Sequence, residues 1–374
     1  MPSSKWPMPR VLIATNEPNF TMGMVEGYRK LGWEVVTGLL NFRICAARYD
    51  IVHFQWPEEF TEWRVPTARS LEEIDRLLRY WREKSILIFT VNNLHPHQHK
   101  SSELYHQLYS LFYKHCHAVT HYTQASKHLV LKEFPVAGQN YHLVHQPANY
   151  EVTLANQIRR GDCRQKWNLS SKDFVILVLG SLRSWDEMTL VRKAYDKARI
   201  NRKRLLMAGK LSLIGSRWQI MWMKFFWSCW LWSRKAAVET RFVPEEEVSQ
   251  FIDSCDIAIV PRLSGLNSGI IHLGMTFGKA LVYPDIPGFA EYFTESPNFV
   301  YATGDASSLA EKMEESSRLD IAAIGLRNAQ VSARWTWKRM VMTCLKEVAM
   351  LGMPLAASIK RFVDEYESLT GPSE

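Results

Sequence analysis

The chain has 374 residues, 47% of them apolar and 22% charged, with a net charge of +8. That length suits two domains rather than one core, and the composition excludes a disordered chain. The positive balance points to anionic partners: nucleic acid, anionic lipid or phosphorylated ligands.

The opening "MPSSKWPMPR" has no long apolar run, so no signal peptide is expected. The strand "VLIAT" (11–15) follows, then a helix around Met22–Leu31, the strands "EVVTG" and "DIVHFQ" (50–55), and the helix "LEEIDRLLRYWREK" (71–84). Next come "ILIFTV" (86–91), a helix from Leu104, "AVTHY", a helix near Ser126–Phe134 and "YHLVH" (141–145). Alternation of this kind predicts βαβ units and a parallel sheet covered on both faces. Residues 146–173 are polar and read as a linker with a short helix. The alternation restarts at "FVILVLG" (174–180), with a helix from about Met188, "RLLMAG", a Trp-rich helix, "VETRFV", "EEEVSQFIDS", "IAIV" and the helix after Asn267-Ser268-Gly269. The expected architecture is α/β, with two doubly wound Rossmann-like domains, 1–155 and 156–374, facing a central cleft. The tail "WTWKRMVMTCLKEVAMLG" (335–352) is an amphipathic helix expected to cross over both halves.

Six scattered cysteines lack paired spacing, which fits reduced thiols in a cytoplasm better than disulfides or a zinc site. Several of the 14 Trp crowd into "SRWQIMWMKFFWSCWLWSRK" (216–235). Lys224 interrupts this run, so it is not a membrane span. Two readings stand: a helix lying in a membrane interface, with Arg217, Arg234 and Lys235 at its ends, or one buried between domains or in a dimer. The basic residues form no stripe with stacking aromatics elsewhere, so nucleic-acid binding is not expected.

Strand ends carry the candidate chemistry. In the second domain "GSLRSWDE" (180–187) offers Arg183 as a phosphate ligand, with a plain surface arginine as the alternative. "AGK" (208–210) adds Lys210. In "PRLSGLNSGIIHLGMTFGKALVYP" (261–284) Ser268 or Asn267 can cap a helix whose free N–H groups, near Gly269, attract an anion. The alternative is a cap with structural work only. There is no Walker loop, no G-x-G-x-x-G and no Asp-x-Asp pair, so Arg, Lys and helix dipole must meet the charge and no metal is expected. Glu239 or Val243–Glu247 are candidates for reading a base. In the first domain Glu58 follows "HFQWP" and can take a proton from a hydroxyl; His97, within "HPHQH", can act likewise. The spacing of His95, His97 and His99 also resembles a metal tract, although Pro96 bends it.

Taken together, "TNEPN" (15–19), "RYDIVHFQWPEEF" (48–60), "TVNNLHPHQ" (90–98), "GSLRSWDE" and "VPRLSGLNSGIIHLGMTFGKALVYPD" (260–285) resemble two-domain GT-B glycosyltransferases. More narrowly they are similar to the GDP-mannose:glycolipid 4-beta-mannosyltransferases of xanthan-type exopolysaccharide assembly. The resemblance implies metal-independent, inverting transfer of a sugar from a nucleotide donor, first of all mannose from GDP-mannose, to a polyprenyl-diphosphate-linked glycan. It also implies a peripheral enzyme on the cytoplasmic face of the cell membrane. Glu58 or His97 would be the base. Arg183, Lys210, Asn267, Ser268 and Gly269 would hold the donor, and Asn19, His53 and Asn92 would contact substrate. The chain departs from the pattern at Gln55, Asn92 and Gln98, where the family carries His, His and Glu, and at Asp186, where it carries Lys. A UDP-sugar donor, or an inactive partner of another transferase, is the alternative these departures raise.

Overall fold

A computed structural model describes residues 8–96, 103–150, 160–209, 211, 216–241 and 243–370. The chain divides into two compact units, Met1–Ala148 with Trp335–Glu374, and Asn149–Arg334.

In the first unit the order is β1 (Arg10–Ile13), α1 (Pro18–Lys30), β2 (Glu34–Thr37), α2 (Leu39–Ile44), β3 (Ile51–Phe54), α3 (Ala68–Arg82), β4 (Ile86–Thr90), α4 (Glu103–His115), β5 (Ala118–His121), α5 (Gln124–Glu133) and β6 (Tyr141–Val144). The strands form one parallel sheet in the order β2-β1-β3-β4-β5-β6. β3, β4 and β5 are buried along their whole length, as strands covered on both faces must be. The core under β3 is aromatic. Phe60 meets Phe42, Phe54 and Phe112 at ring separations of 5.1, 5.8 and 5.0 Å. Edge-on packing of this kind fixes orientation as well as burying area. It anchors the short 3-10 turn Pro57–Thr61 that carries Glu58 and Glu59.

The second unit runs α6 (Arg160–Lys166), β7 (Phe174–Leu179), α7 (Trp185–Lys197), β8 (Lys203–Ala208), α8 (Arg217–Ser233), β9 (Ala237–Glu239), α9 (Glu245–Ser254), β10 (Ile257–Ile259), α10 (Gly269–Thr276), β11 (Ala280–Pro284), β12 (Phe299–Tyr301), α11 (Ala306–Ser316) and α12 (Ile321–Ala333). Its parallel sheet is ordered β12-β11-β10-β7-β8-β9.

The sequence assigns 335–374 to the second domain and reads 335–352 as a helix crossing both halves. In the structure α13 (Trp337–Ala349) and α14 (Ala357–Thr370) fill this stretch, and both belong to the first unit. α13 lies along α1, where Gly23 and Gly27 leave room for Trp337. Phe362 meets Trp33 edge-on at 5.5 Å, Tyr141 donates to Glu347 at 2.9 Å and Ser358 to Asp50 at 2.6 Å. Amphipathicity announces that a helix has an apolar face, but not which sheet it will cover.

A Cβ on Gly23 would stand 2.1 Å from Trp337 Cε2, whereas one on Gly138 would meet nothing within 4 Å. Gly23→Ala is therefore expected to cost about 1–3 kcal/mol through overpacking. Gly138→Ala should stay within about 0.5 kcal/mol of wild type. Thermal midpoints of the two variants check the difference.

Candidate functional site

Each sheet has one place where the strand order reverses. In the first unit it lies between β1 and β3, in the second between β7 and β10. Loops leaving the carboxyl ends of such neighbours turn away from each other and open a crevice.

At the reversal in the second unit, Gly180 ends β7 with φ +87°. That left-handed backbone is what calls for glycine, since a Cβ would meet Ile270 and the Arg262 guanidinium only at ordinary contact distances of 3.7 and 3.8 Å. Arg262 is buried, and its Nη1 donates to Ser181 O at 2.9 Å and to Glu187 Oε2 at 3.0 Å. The same carboxylate oxygen accepts from the Arg183 backbone N–H at 2.7 Å. One buried carboxylate thus fixes both the Arg262 side chain and the Arg183 loop. The Arg183 side chain is exposed. Partial desolvation by the protein around it first, and the neighbouring Arg262 charge second, push its guanidinium down to about 10, with Glu187 acting in the opposite sense. It remains a cation at neutral pH.

Beside this pair begins α10. Ser268 stands at its N-cap position, yet its side chain makes no capping bond. The hydroxyl is buried and has no partner among the described residues. Asn267 Oδ1 accepts instead from the Tyr292 hydroxyl at 3.1 Å. The first N–H groups of a helix have no intrahelical acceptor, and this end carries the positive pole of the dipole. The plain-cap reading does not describe these residues. The Arg262 guanidinium held on a buried carboxylate, the Arg183 side chain on the loop that the same carboxylate fixes, and an uncapped helix mouth beside them make a place where an anion is stabilised.

At the reversal in the first unit, Glu59 braces the loop after β1. It accepts from Thr15 Oγ1 at 2.5 Å and from the Asn16 N–H at 2.7 Å. Asn16 in turn accepts from the Leu39 N–H at 3.1 Å, which ties α2 to the same loop. Glu58 is different. It is 2% exposed, and its Oε2 makes no hydrogen bond of normal geometry among the described residues. Desolvation raises its pKa above 4.5; Tyr109 and Asn93 lie near enough to favour the charged form, and Glu59 opposes it. A carboxyl held this way keeps its proton to higher pH than a solvated one, which is the direction a proton-exchanging group needs.

Gln55 and Asn92 meet here. Asn92 Nδ2 donates to Gln55 Oε1 at 2.9 Å, an amide pair that cannot titrate. His53 is a buried ring inside β3, with Nε2 2.7 Å from Thr90 Oγ1; burial holds its pKa down to about 3 and keeps it neutral.

Residues 160–323 match the family model described as Glycosyl transferases group 1. They form a group 1 glycosyltransferase domain within the second unit. The chain is a glycosyltransferase. Among solved structures it is similar to sucrose-phosphate synthase from Thermosynechococcus elongatus, with 11% identity and a TM-score of 0.66 over 97% of this chain and all of that one. It is also similar to Anabaena HepE in complex with UDP-glucose (13% identity, TM-score 0.65, 91% of this chain and 99% of that one). A glycosyltransferase from Rickettsia africae ESF-5 aligns over 98% of this chain and all of its own length, at 15% identity and a TM-score of 0.63. These likenesses show the GT-B fold. No curated protein matches the sequence significantly.

Within this glycosyltransferase Arg183, Asn267, Ser268 and Gly269 gather at one reversal and Glu58 and Asn92 at the other. Lys210, His97 and His99 lie outside the described residues, as does the Asn19 side chain at the start of α1. His95 lies 3.5 Å from Glu133, and no three metal-ligating side chains converge among the described residues. Glu239 is paired with Arg241 at 3.1 Å. Asp186 is exposed in the first turn of α7, which Ser184 caps, so its charge complements a helix dipole. Sequence reasoning missed Arg262 and Glu187. Arg262 carried the signal that selected Arg183, a guanidinium just past a strand end; Glu187 carried none, because its role depends on a residue from a distant strand.

The raised Glu58 pKa has a consequence for stability. A carboxyl whose folded pKa lies above its unfolded value favours the fold below the unfolded pKa and loses that contribution as pH rises through the folded one. At pH 8 Glu58→Gln should therefore melt higher than wild type. At pH 4 the gap should close, as thermal scans at the two pH values will register.

Proposed function

We propose that this glycosyltransferase moves a hexose from a nucleoside-diphosphate sugar to a hydroxyl of a lipid-linked glycan, with inversion and without a metal. The reading is carried by one observation: Arg183, Arg262 and the uncapped mouth of α10 meet at the strand reversal of the group 1 domain. As the bond to the donor sugar breaks, negative charge grows on the diphosphate. Cations and N–H groups already in position stabilise that charge without reorganising. Glu58 is the base: its desolvated carboxylate takes the acceptor proton as the hydroxyl attacks the anomeric carbon. His97 is the alternative base, and Asn19 and Asn92 are acceptor contacts.

For the donor, the xanthan-type resemblance favours GDP-mannose. The HepE complexes with UDP and UDP-glucose, and trehalose-phosphate synthases described as UDP-forming, favour a uridine nucleotide. A lipid-linked acceptor would keep the enzyme peripheral, on the cytoplasmic face of the membrane, in exopolysaccharide or surface-glycan synthesis.

A thermal-shift screen of GDP-mannose against UDP-glucose is the first experiment, because a ligand that binds only the folded state must raise its melting point. One of the two should give a shift, and Arg262→Met should abolish it. Absence of any shift with either donor would overturn the reading. Glu58→Gln should keep the shift while lowering transfer to lipid-linked sugars by about 10²–10⁴-fold, the usual range for a lost general base. An unchanged rate would move the base to His97.

A further inference from the structure

α8 is apolar on two opposite faces, and only one of them is used by the fold. Trp227 and Leu231 are buried in the core of the second unit, where they join the side chains under β7 and β8. Trp230 stacks on Trp227 at 4.9 Å and donates to Asp196 at 3.1 Å, and Arg234 pairs with the same carboxylate at 2.8 Å. These contacts fix the rotation of the helix about its axis. The 3.6-residue period then places Trp218, Met221, Trp222, Phe225 and Trp232 on the side opposite Trp227, with Phe226 at its edge. All six are exposed, Trp218 at 72% and Trp232 at 85%. Trp222, Phe225 and Phe226 touch one another at ring separations near 6 Å, so the face is continuous.

A continuous exposed apolar face of this kind on a folded surface marks an interaction site. Its chemistry selects among partners. From Ser216 to Ala236 there is no Asp or Glu, while Arg217 and Lys224 lie exposed on one flank of the stripe and Lys235 follows its end. Arg217 and Lys224 form no ion pair among the described residues. Tryptophan with flanking cations is the combination that settles at the headgroup level of a bilayer, rings inward and charges toward anionic lipid. A second copy is the poorer occupant: two α8 faces would bring these cations together with no acid on the helix to pair them. No helix among the described residues is long and apolar enough to cross a membrane.

We propose that α8 lies in the plane of an anionic membrane surface, inserting the Trp218–Trp232 face while Trp227 and Leu231 stay in the protein core. This deepens the lipid-linked acceptor reading by naming the surface that meets the bilayer, and it assigns that contact to the unit carrying the donor site.

Exposed Cys229 reports on the helix directly. In a Cys45→Ser background it would carry an environment-sensitive fluorophore, and the full chain would be mixed with vesicles of phosphatidylcholine alone or with 30% phosphatidylglycerol. The expected result is co-sedimentation with the anionic vesicles and a blue shift of the label. Trp218→Ser/Trp222→Ser/Phe225→Ser should weaken partitioning about tenfold or more by removing the inserted rings, and Arg217→Glu/Lys224→Glu should weaken it only on anionic vesicles. The triple variant leaves Trp227 and Leu231 in place, so its far-ultraviolet spectrum and donor-induced thermal shift should match wild type. Vesicle binding unchanged in the triple variant, or none at all, would overturn the proposal. So would a dimer in the absence of lipid that the triple variant dissociates while the label stays silent on vesicles. The donor shift is read separately, so a failed membrane assay leaves the donor reading standing, and the reverse.

Discussion

Everything functional in this protein depends on a constraint of parallel sheets. A βαβ crossover can add strands on one side of the first strand, and the chain must then return to add them on the other. Where it returns, two neighbouring strands send their loops in opposite directions, and the backbone ends there are left uncovered. Both units use this place. Gly180, Arg183, Arg262 and α10 come from the two sides of the β7–β10 reversal; Thr15, Asn16, Glu58 and Glu59 come from the two sides of the β1–β3 reversal. In the first unit the aromatic cluster around Phe60 holds the turn that carries Glu58 and Glu59.

The two sites treat buried charge in opposite ways. In the second unit Arg262 and Glu187 are buried as a pair, and Glu187 also takes the Arg183 N–H. Removing one partner of such a pair costs about 3–5 kcal/mol, because the other charge is left in a poor solvent. The arrangement spends one carboxylate on positioning and leaves a net positive charge facing outward. In the first unit Glu59 is satisfied by Thr15 and Asn16, whereas Glu58, its neighbour in sequence, is desolvated without a strong partner. Adjacent residues of one type therefore differ in role through their surroundings: one shapes the loop, the other is poised to titrate.

Most strands and helices were readable because each runs as an apolar stretch or a 3.6-residue pattern between polar breaks. β3 reads as "DIVHFQ" and α3 as "LEEIDRLLRYWREK", and both stand within a few residues of their observed limits. α2 was not readable, since six residues carry too little periodicity and its start depends on Asn16, far back in the chain. The site was legible where a chemically distinctive residue followed a strand, as with Arg183, Glu58 and Asn267-Ser268-Gly269. It was illegible where the role lies in a pairing. Gln55 and Asn92 look like two separate losses in the sequence and are one hydrogen-bonded pair in space. Asp186 looks like a lost cation and is an exposed residue of a helix's first turn.

By itself the sequence determined the class of fold, the division into two doubly wound halves and the strand ends at which chemistry would gather. Periodicity and burial are local properties, and local properties survive in a linear string. Only the tertiary structure decided which strands are neighbours at each reversal, which carboxylate is braced by hydrogen bonds and which keeps an unpartnered oxygen, and that the C-terminal helices join the first unit by packing on α1. It also decided which face of the Trp-rich helix is spent on the core. Those outcomes depend on contacts between residues far apart in sequence, such as Arg262 with Glu187 or Trp337 with Gly23, and no local pattern encodes them.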